Sequence, residues 1–346
     1  MSADLLYTYV TGFDRAIRET VEVKGGKLRP YVRLATGDLF HSTGVYQRTS
    51  GGGLPQKVTN RFGDSPVSEL DYTRRRVTRN PYHDGQFMDW ADVARMGSDP
   101  RSEKLTAMRN KFLRQEDILI DQAALGSAAG GANGETTVQF GDATDQENAA
   151  GFFPDDNIVD INLGADAGIT TAGFNYEKFI DVLERLGSNN VDLESAAPVF
   201  KVSYKQWEDM MKDDKFINTD YTGRRPIDNN AAAGVVMNYM GCSFCLSNIV
   251  PYAGDNTPTV YTDFSIADTD ITSAGTWNDT GAADVRMCYA FMPGSILLEI
   301  NPDITVEISK RGDKGYNWYA YLKYDLGAVR MEEAHVIAIP CDEIPA

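Results

Sequence analysis

The chain has 346 residues, of which 42% are hydrophobic and 24% are charged, a composition typical of a folded protein with room for two domains. No run of eighteen apolar residues occurs, which excludes a membrane-spanning helix, and the first residues lack the basic and apolar regions of a signal peptide. The net charge of −17 argues against a surface that grips nucleic acid, because such surfaces need clustered Lys and Arg.

The first 41 residues predict an N-terminal arm rather than an independent domain. A short helix is expected from Asp14 to Val21 and an extended piece from Pro30 to Leu34, with Lys24-Gly25-Gly26-Lys27 between them. Neither piece is long enough to form a core of its own.

Residues 42–86 predict a long β-hairpin that cannot fold alone. The segment has β-favouring residues and turn signals such as Gly51-Gly52-Gly53, but too few apolar side chains to bury a face. An isolated two-stranded ribbon is marginal in water. The segment is therefore either disordered or lies on another surface, such as a second copy of the chain.

The charges of this hairpin differ from those of the rest of the chain. Residues 42–86 contain seven basic and four acidic residues, whereas residues 127–172 contain eight acidic residues and no Lys or Arg. A basic hairpin on an acidic chain favours attraction between copies, although a solvated surface with uneven charge explains the pattern equally well. On the first interpretation, we expect a neighbouring copy to contact the arginines that close the hairpin, Arg74, Arg75, Arg76 and Arg79.

A long amphipathic helix is predicted from Asp99 to Gly126. Asp99 can cap the first turn, Pro100 fits the first helical position, and Gly126 suits the C-terminal cap. An apolar face follows the helical spacing and is formed by Leu105, Met108, Phe112, Ile118, Leu119 and Ala123. About 26 residues at ~1.5 Å each make a helix of roughly 39 Å, which is long for a globular domain.

The middle of the chain predicts an acidic insertion followed by two shorter helices. Residues 127–172 are rich in Gly, Ala, Asn and Asp, which is typical of an exposed insertion. A helix is expected from Tyr176 to Leu186 and a buried strand from Pro198 to Val202. The sequence Ser203-Tyr204-Lys205-Gln206 is a capping box and predicts the start of a third helix.

From Arg286 onward, the chain predicts β-strands throughout. Apolar and polar residues alternate in residues 304–309 and 318–324, and a last strand is expected from Val336 to Ile339. Helices in the middle of the chain and strands elsewhere predict the α+β class with mainly antiparallel sheets.

Candidate catalytic residues are few and poorly placed. Ser65, with Glu332 and His335 downstream, loosely resembles the nucleophile and acid–base residues of serine lipases. However, Ser65 precedes a proline in the polar hairpin, so a turn residue is the favoured interpretation. The three histidines lie in unrelated contexts and the acidic segment lacks a calcium-loop pattern, so no catalytic, cofactor-binding or metal-binding residues are predicted.

The four cysteines are predicted to be free thiols. Cys242 and Cys245 have the spacing of zinc-binding and redox pairs, but a zinc site needs two further ligands. Alternation along a strand places these two thiols on opposite faces, which favours buried structural cysteines. Cys288 and Cys341 are far from each other in the sequence, and no secretion signal favours disulfides.

The order of these elements resembles that of tailed-bacteriophage major capsid proteins with the Hong Kong 97-type fold. The resemblance covers most of the chain, and its single motifs are weak: Phe87-Met88-Asp89-Trp90-Ala91-Asp92, residues 234–241, Ser247-Asn248-Ile249-Val250-Pro251 and Gly327-Ala328-Val329-Arg330. It implies an N-terminal arm (1–41), an extended hairpin loop (42–86), a peripheral domain (87–172) with spine helix 99–126 and acidic insertion 127–172, an axial domain (173–285), and closing β strands shared by both domains (286–346).

The resemblance implies a structural protein that is not an enzyme and needs no cofactor. Copies would assemble as pentamers and hexamers into an icosahedral shell that encloses double-stranded DNA without sequence-specific binding. It also implies separate scaffold and portal proteins, a decoration protein as a further partner, no membrane contact, assembly in the host cytoplasm and a final place in the virion. The alternatives are an encapsulin-like cellular compartment and, less favoured, a serine hydrolase using Ser65 and His335.

Overall fold

The computed structural model describes most of the chain after its first 25 residues. The described residues are 26–36, 42–50, 57, 71–89, 101–131, 135–138, 140, 157–165, 172–189, 191–194, 196–217, 237–251, 285–301 and 305–343. The predicted helix from Asp14 to Val21, the predicted helix start at Asp99 and Pro100, and Ser65 lie outside these residues.

Four helices and fourteen strands are found in the described part of the chain. The helices are α1 (Arg101–Leu125), α2 (Tyr176–Ser188), α3 (Tyr204–Lys212) and α4 (Asp214–Ile217). The strands are β1 (Arg33–Thr36), β2 (Thr43–Ser50), β3 (Asp71–Thr78), β4 (Asn80–Met88), β5 (Ala128–Gly130), β6 (Thr136–Val138), β7 (Val199–Val202), β8 (Met237–Tyr239), β9 (Cys242–Leu246), β10 (Val285–Phe291), β11 (Ile296–Ile300), β12 (Thr305–Arg311), β13 (Asn317–Arg330) and β14 (Val336–Asp342).

These strands form three sheets. The long-strand sheet has the order β1-β11-β13-β12, with β4 on the opposite edge of β13. The hairpin sheet has the order β2-β3-β5-β6, and the buried sheet has the order β14-β10-β7-β9-β8. Among the described strands, only β1 with β11 and β7 with β9 pair in parallel. The predicted α+β class with mainly antiparallel sheets is confirmed.

Helix α1 packs between the long-strand sheet and the buried sheet. Phe112 belongs to one apolar cluster with Tyr324 of β13 and Tyr289 of β10. The rings of Phe112 and Tyr324 meet edge to face with centroids 4.4 Å apart, and the Tyr324 hydroxyl donates to the Phe112 carbonyl at 2.8 Å. The Gly126 N–H donates to the Gln122 carbonyl at 2.8 Å, which closes the last turn. The predicted long helix and its C-terminal end are confirmed.

Helices α2 and α3 cover the other face of the buried sheet. The rings of Phe179 and Phe200 have centroids 5.3 Å apart, and those of Phe200 and Phe244 are 5.0 Å apart. As the capping box predicts, the Gln206 N–H donates to the Ser203 hydroxyl at 3.3 Å at the start of α3. The Gln206 side chain also accepts a hydrogen bond from the Phe174 N–H at 2.8 Å. This bond links α3 to the segment just before α2.

The predicted hairpin is shorter than its predicted range of 42–86. Strands β2 and β3 pair from Thr43 with Thr78 to Ser50 with Asp71. Near its base the hairpin is widened, because β3 also pairs with β5. The chain then leaves the hairpin, and β4 pairs with β13 from Asn80 to Met88. Residues 80–88 join the long-strand sheet rather than the hairpin because the alternation of β4 buries Met88 on the core side of that sheet.

The region predicted as an exposed insertion, residues 127–172, is packed into the fold where it is described. Ala128 and Val138 are buried in an apolar cluster between the hairpin sheet and β13, and Phe140, Ile158 and Ile161 are buried in the cluster around α1. The predicted exposure is therefore wrong for these residues. Their apolar side chains are too widely spaced among Gly, Ala and Asp to show a strand period in the sequence.

The cysteines are all buried and free, as predicted. Cys242 lies in the cluster under α2 and α3, whereas Cys245 faces the cluster around α1. Burial raises the pKa of each of these two thiols to about 11, so both stay protonated near neutral pH. This environment disfavours the thiolate that zinc binding and redox chemistry require.

Candidate assembly surface and its anchors

Strand alternation divides the arginine run of β3 between two faces. Val45 lies opposite Arg76, and Gln47 lies opposite Arg74, on the outward face of the hairpin. Arg75, between the two other arginines, points inward and is fully buried. Because successive side chains of a strand point to opposite faces, three adjacent arginines cannot serve one surface.

Arg75 is bound within its own subunit. Its guanidinium lies 3.2 Å from the Glu333 carboxylate, and both side chains are buried. The same carboxylate also accepts from Arg330 of β13 at 2.5 Å. Glu333 therefore joins the hairpin to the end of the longest strand. In this water-excluded site, removal of one partner would leave a buried charge unpaired.

Arg330 also binds the C-terminal end of α1. Its Nη1 donates to the carbonyls of Ala123, Ala124 and Gly126 at 3.2, 2.8 and 2.7 Å. These carbonyls belong to the last turn, where helix carbonyls lack partners within the helix and the macrodipole is negative. The guanidinium also lies 4.9 Å from the centroid of the Phe140 ring. One side chain thus connects the helix end, the long strand and the Arg75–Glu333 pair.

Arg79, just after the hairpin, is anchored in the same way. Its Nε lies 3.2 Å from Glu299 of β11, and its Nη1 donates to the Asn301 carbonyl at 3.3 Å. Arg79 therefore fixes the base of the hairpin to the long-strand sheet. Tyr46 of β2 lies beside the same carboxylate: burial raises the pKa of Tyr46 to about 12, and Glu299 contributes to that shift.

The structure thus separates the four arginines proposed for contacts between subunits. Arg75 and Arg79 have carboxylate partners in their own chain. Arg74 is exposed and Arg76 is partly exposed on the outward face. The contact with a neighbour stays a prediction, now directed at these two. Sequence reasoning missed Glu299 and Glu333, since they lie more than 200 residues away and carry no local motif.

A buried ion pair joins α1 to the buried sheet. Lys201 Nζ lies 2.6 Å from both carboxylate oxygens of Asp121, and the Tyr289 hydroxyl donates to the same carboxylate at 2.6 Å. Burial raises the pKa of Asp121 to about 6, although Lys201 and Tyr289 both favour the charged form. The apolar spacing of α1 gives no sign that this aspartate is buried.

The segment before β1 is held by two further carboxylates of α1. Asp117 accepts from the backbone N–H groups of Gly26, Lys27 and Leu28 at 2.9, 3.4 and 3.2 Å. Arg29 lies 3.2 Å from Glu116, one residue earlier on the helix. Three acidic side chains of α1 therefore bind two separate parts of the chain, and their burial gives them a structural role.

The phage capsid protein family matches residues 6–343 of this chain. The chain belongs to this family. The capsid protein is therefore a structural subunit of a viral shell, and it is located in the virion capsid. The match favours this function over an encapsulin-like compartment or a serine hydrolase.

Solved structures agree with this assignment. The capsid protein is similar to the capsid of the cyanophage P-SCSP1u, with 13% identity, a TM-score of 0.61, and 96% of this chain and 92% of that chain covered. It is also similar to the acidic stable capsid of Helicobacter pylori bacteriophage KHP30, with 10% identity, a TM-score of 0.64, and 96% and 95% covered. The capsid of Ralstonia phage GP4 matches with 12% identity, a TM-score of 0.59, and 96% and 95% covered. No curated protein sequence matches significantly.

These neighbours show the Hong Kong 97-like fold of the capsid protein. Helix α1 corresponds to the spine helix that the element order predicts. The β2–β3 hairpin corresponds to the extended loop of this fold. The identities of 10% to 13% mean that the fold, rather than individual residues, is shared.

The candidate catalytic residues do not form a site in the described structure. His335 ends a short 3-10 turn before β14, and its carbonyl accepts the Met292 N–H at 3.0 Å. Ser65 lies outside the described residues, so the structure does not place it near His335. No group of three or more metal-ligating side chains occurs in the described part. None of the described helices is long and apolar enough to cross a membrane.

Proposed function

We propose that the capsid protein assembles as pentamers and hexamers into a closed icosahedral shell around double-stranded DNA. The observation that carries this proposal is the β2–β3 hairpin. Its inward arginine and the adjacent Arg79 are fixed to the subunit by buried ion pairs, while Arg74, Arg76 and Val45 face outward. A hairpin that is rigidly held at its base and basic on its outer face suits attachment to an acidic neighbour.

The charge of the chain supports enclosure of DNA without tight binding. A net charge of −17 repels a polyanion, so the shell would enclose the packaged DNA without binding it tightly, and we propose no sequence-specific contact. Repetition of modest contacts around each subunit gives a strong shell, because each contact becomes effectively intramolecular once its neighbours are bound.

The proposal includes separate partners and no catalytic activity. A scaffold protein would direct assembly in the host cytoplasm, a portal would occupy one vertex, and a decoration protein would bind the finished shell. No catalytic role is proposed for the buried charged side chains of the described part, such as Asp121, Glu333 and Arg330, because they bind one another and backbone groups.

Electron microscopy tests this function. The capsid protein, expressed alone and with its scaffold protein, is expected to form closed shells or ring-shaped capsomers of five and six subunits. Coexpression with portal and packaging proteins should give particles whose DNA resists nuclease. Strict monomers in the presence of scaffold and a crowding agent would overturn the proposal, and particles that hold a protein cargo in place of DNA would favour the encapsulin-like alternative.

A further inference from the structure

Among the described residues, Lys201 and Asp121 form the one ion pair in which a lysine and a carboxylate are both buried. Their side chains are 1% and 0% exposed, whereas the other lysine–carboxylate pairs of this part are at least partly exposed. The other fully buried pairs use arginine, which stays charged and is a poor nucleophile. Only an amine beside a carboxyl group can form an amide, so this pair differs chemically from the others.

The strand register holds this site together. Lys201 of β7 lies directly opposite Tyr289 of β10 on one side and Cys245 of β9 on the other. Directly opposite residues of neighbouring strands point to the same face of a sheet, and Tyr289 and Cys245 belong to the apolar cluster around α1. Helix α1 supplies Asp121 to that face. Backbone pairing and helix packing therefore fix the amine, the carboxyl group and the phenol.

The amine lies at reacting distance from the carboxyl carbon. Lys201 Nζ is 2.6 Å from both Oδ1 and Oδ2 of Asp121. Contact with both oxygens places Nζ about 3 Å from Cγ, the separation of a near-attack pair. Rotation of the carboxyl group about its Cβ–Cγ bond turns its face toward the amine. Because both groups belong to one folded chain, their effective concentration can reach ~10⁵–10⁸ M.

The surroundings favour the uncharged forms that react. Burial raises the pKa of Asp121 to about 6, and both side chains lie away from water. Proton transfer along the Lys201–Asp121 hydrogen bond gives a neutral acid and a neutral amine, which a site of low dielectric constant penalises less than two charges. A desolvated, neutral lysine is also the nucleophilic form. The same exclusion of water disfavours hydrolysis of an amide once it has formed.

Tyr289 donates a hydrogen bond to the oxygen on which negative charge would develop. Its hydroxyl lies 2.6 Å from Asp121 Oδ1. When an amine attacks Cγ, this oxygen becomes the oxyanion of the tetrahedral intermediate, and a donor that is already in place stabilises it without rearrangement. The nearby Asp117 is not equivalent, because its carboxylate accepts from the backbone N–H groups of residues 26–28.

We propose that Asp121 and Lys201 condense slowly to an amide that joins α1 covalently to β7. Lys201 Nζ bonds to Asp121 Cγ, the Cγ–Oδ2 bond breaks, and Oδ2 leaves as water with two protons of the ammonium group. The reaction is a condensation, so no oxidant or reductant takes part, and Tyr289 keeps its proton.

This reaction is a single self-modification in which both side chains are consumed, rather than turnover of a substrate. The amide ties the spine helix to the buried sheet across 80 residues of chain. The inference goes beyond the proposed shell function, because the reaction needs only the folded subunit.

Intact-mass measurement of the full chain tests the proposal. The freshly folded subunit is expected to have the mass calculated from its sequence, and incubation for a month should convert it to a species about 18 Da lighter, the mass of one water. The conversion should be first order and independent of protein concentration, because both groups lie in one chain. Peptide mapping should find residues 121 and 201 in one branched peptide. A subunit that keeps its calculated mass throughout would overturn the inference.

Two variants separate the amide from other losses of water. Lys201→Arg keeps a cation beside Asp121 but removes the amine, so this variant should retain its calculated mass. Tyr289→Phe keeps the ring and should lose water at least ~tenfold more slowly, as expected when an oxyanion donor is removed. Circular dichroism checks that both variants are folded. Loss of water from Lys201→Arg at the wild-type rate would place the dehydration elsewhere, as in a succinimide, and would overturn the inference.

A denaturing gel gives a second measurement. The cross-linked subunit should migrate ahead of the unreacted one, because a loop spanning 80 residues stays closed after unfolding. Electron microscopy scores the shell function separately. Particles whose subunits keep the calculated mass and the slower migration would overturn this inference and leave the shell function intact, whereas a lighter subunit that forms no shells would do the reverse.

Discussion

At the scale of single residues, charge is buried where it joins separate parts of the capsid protein. Asp121, Glu299, Glu333 and Lys201 are almost fully buried, and each has an oppositely charged partner from a distant part of the chain. Such pairs add little net stability compared with apolar packing, but the loss of one partner is costly. They fix which elements contact one another.

The Asp121–Lys201 pair makes stability depend on pH in a defined direction. Lys201 lowers the pKa of Asp121, so in Lys201→Met that pKa should rise above its present value of about 6. The folded variant then keeps a proton that the unfolded chain releases near pH 3.8, the ordinary value for this carboxyl. Its free energy of unfolding should therefore fall as pH rises through this interval.

We expect Lys201→Met to lose about 3 kcal/mol at pH 8 and markedly less at pH 5. Urea unfolding of the subunit at both pH values measures this difference. The double variant Lys201→Met with Asp121→Asn is the control: it should regain much of the stability and lose the added pH dependence. An equal loss at both pH values in the single variant would contradict this account.

At the scale of elements, the hairpin sheet can cross the long-strand sheet closely because of two glycines. A Cβ atom on Gly327 would lie 2.6 Å from the Thr78 carbonyl oxygen and 2.7 Å from Val77. A Cβ atom on Gly44 would lie 2.3 Å from the Glu299 carboxylate. At Gly327 the two sheets therefore approach backbone to Cα, and a larger residue would have to move the β3 backbone, whereas at Gly44 it would have to displace the Glu299 side chain.

Gly327→Ala should weaken this junction. Because the neighbouring atom is a backbone oxygen that cannot rotate away, we expect a loss of about 1–3 kcal/mol in the free energy of unfolding. Gly187→Ala in α2 is the matched control, since its Cβ would have no neighbour within 4 Å. That change should be neutral or stabilising by up to ~1 kcal/mol. Similar losses from both variants in denaturant unfolding would contradict the proposed close approach.

At the scale of the whole molecule, one subunit combines an interior joined by buried ion pairs with the outward face of the β2–β3 hairpin. The spine helix binds the N-terminal segment through Asp117, the buried sheet through Asp121 and the long-strand sheet through its C-terminal carbonyls. The β2–β3 hairpin starts from this frame, where Arg75 and Arg79 hold its base. Attachment to a neighbour through the outward face of this hairpin would leave the interior unchanged.

Charge reversal on the outer face of the β2–β3 hairpin should therefore separate assembly from folding. Arg74→Glu with Arg76→Glu is expected to reduce assembly at least ~tenfold, which corresponds to about 1.4 kcal/mol per contact. Subunit stability should change by no more than about 0.5 kcal/mol, as is usual for surface substitutions. Light scattering and thermal unfolding measure the two effects.

The matched control for this double variant is Arg109→Glu with Lys323→Glu, which alters charge equally at exposed positions elsewhere. The effect should diminish at high salt, since exposed charges are screened. Equal assembly of the two double variants at low salt would contradict a role for Arg74 and Arg76 between subunits.

The sequence by itself determined the elements and the class of this protein. The apolar spacing and Gly126 predicted α1, the capping box at Ser203 predicted α3, and alternation predicted the C-terminal strands. All of these signals act within a few residues, where backbone geometry and side-chain spacing are set locally. Their order also carried the resemblance to capsid proteins.

Only the tertiary structure decided which charged residues face a neighbour and which are internal. Arg75 and Arg74 are adjacent in the sequence, yet one is bound to Glu333 and the other is exposed. The burial of residues 128, 138 and 158 was likewise decided by distant strands. Pairing across more than 200 residues leaves no periodic signal, because a buried ion pair depends on what the completed fold brings together.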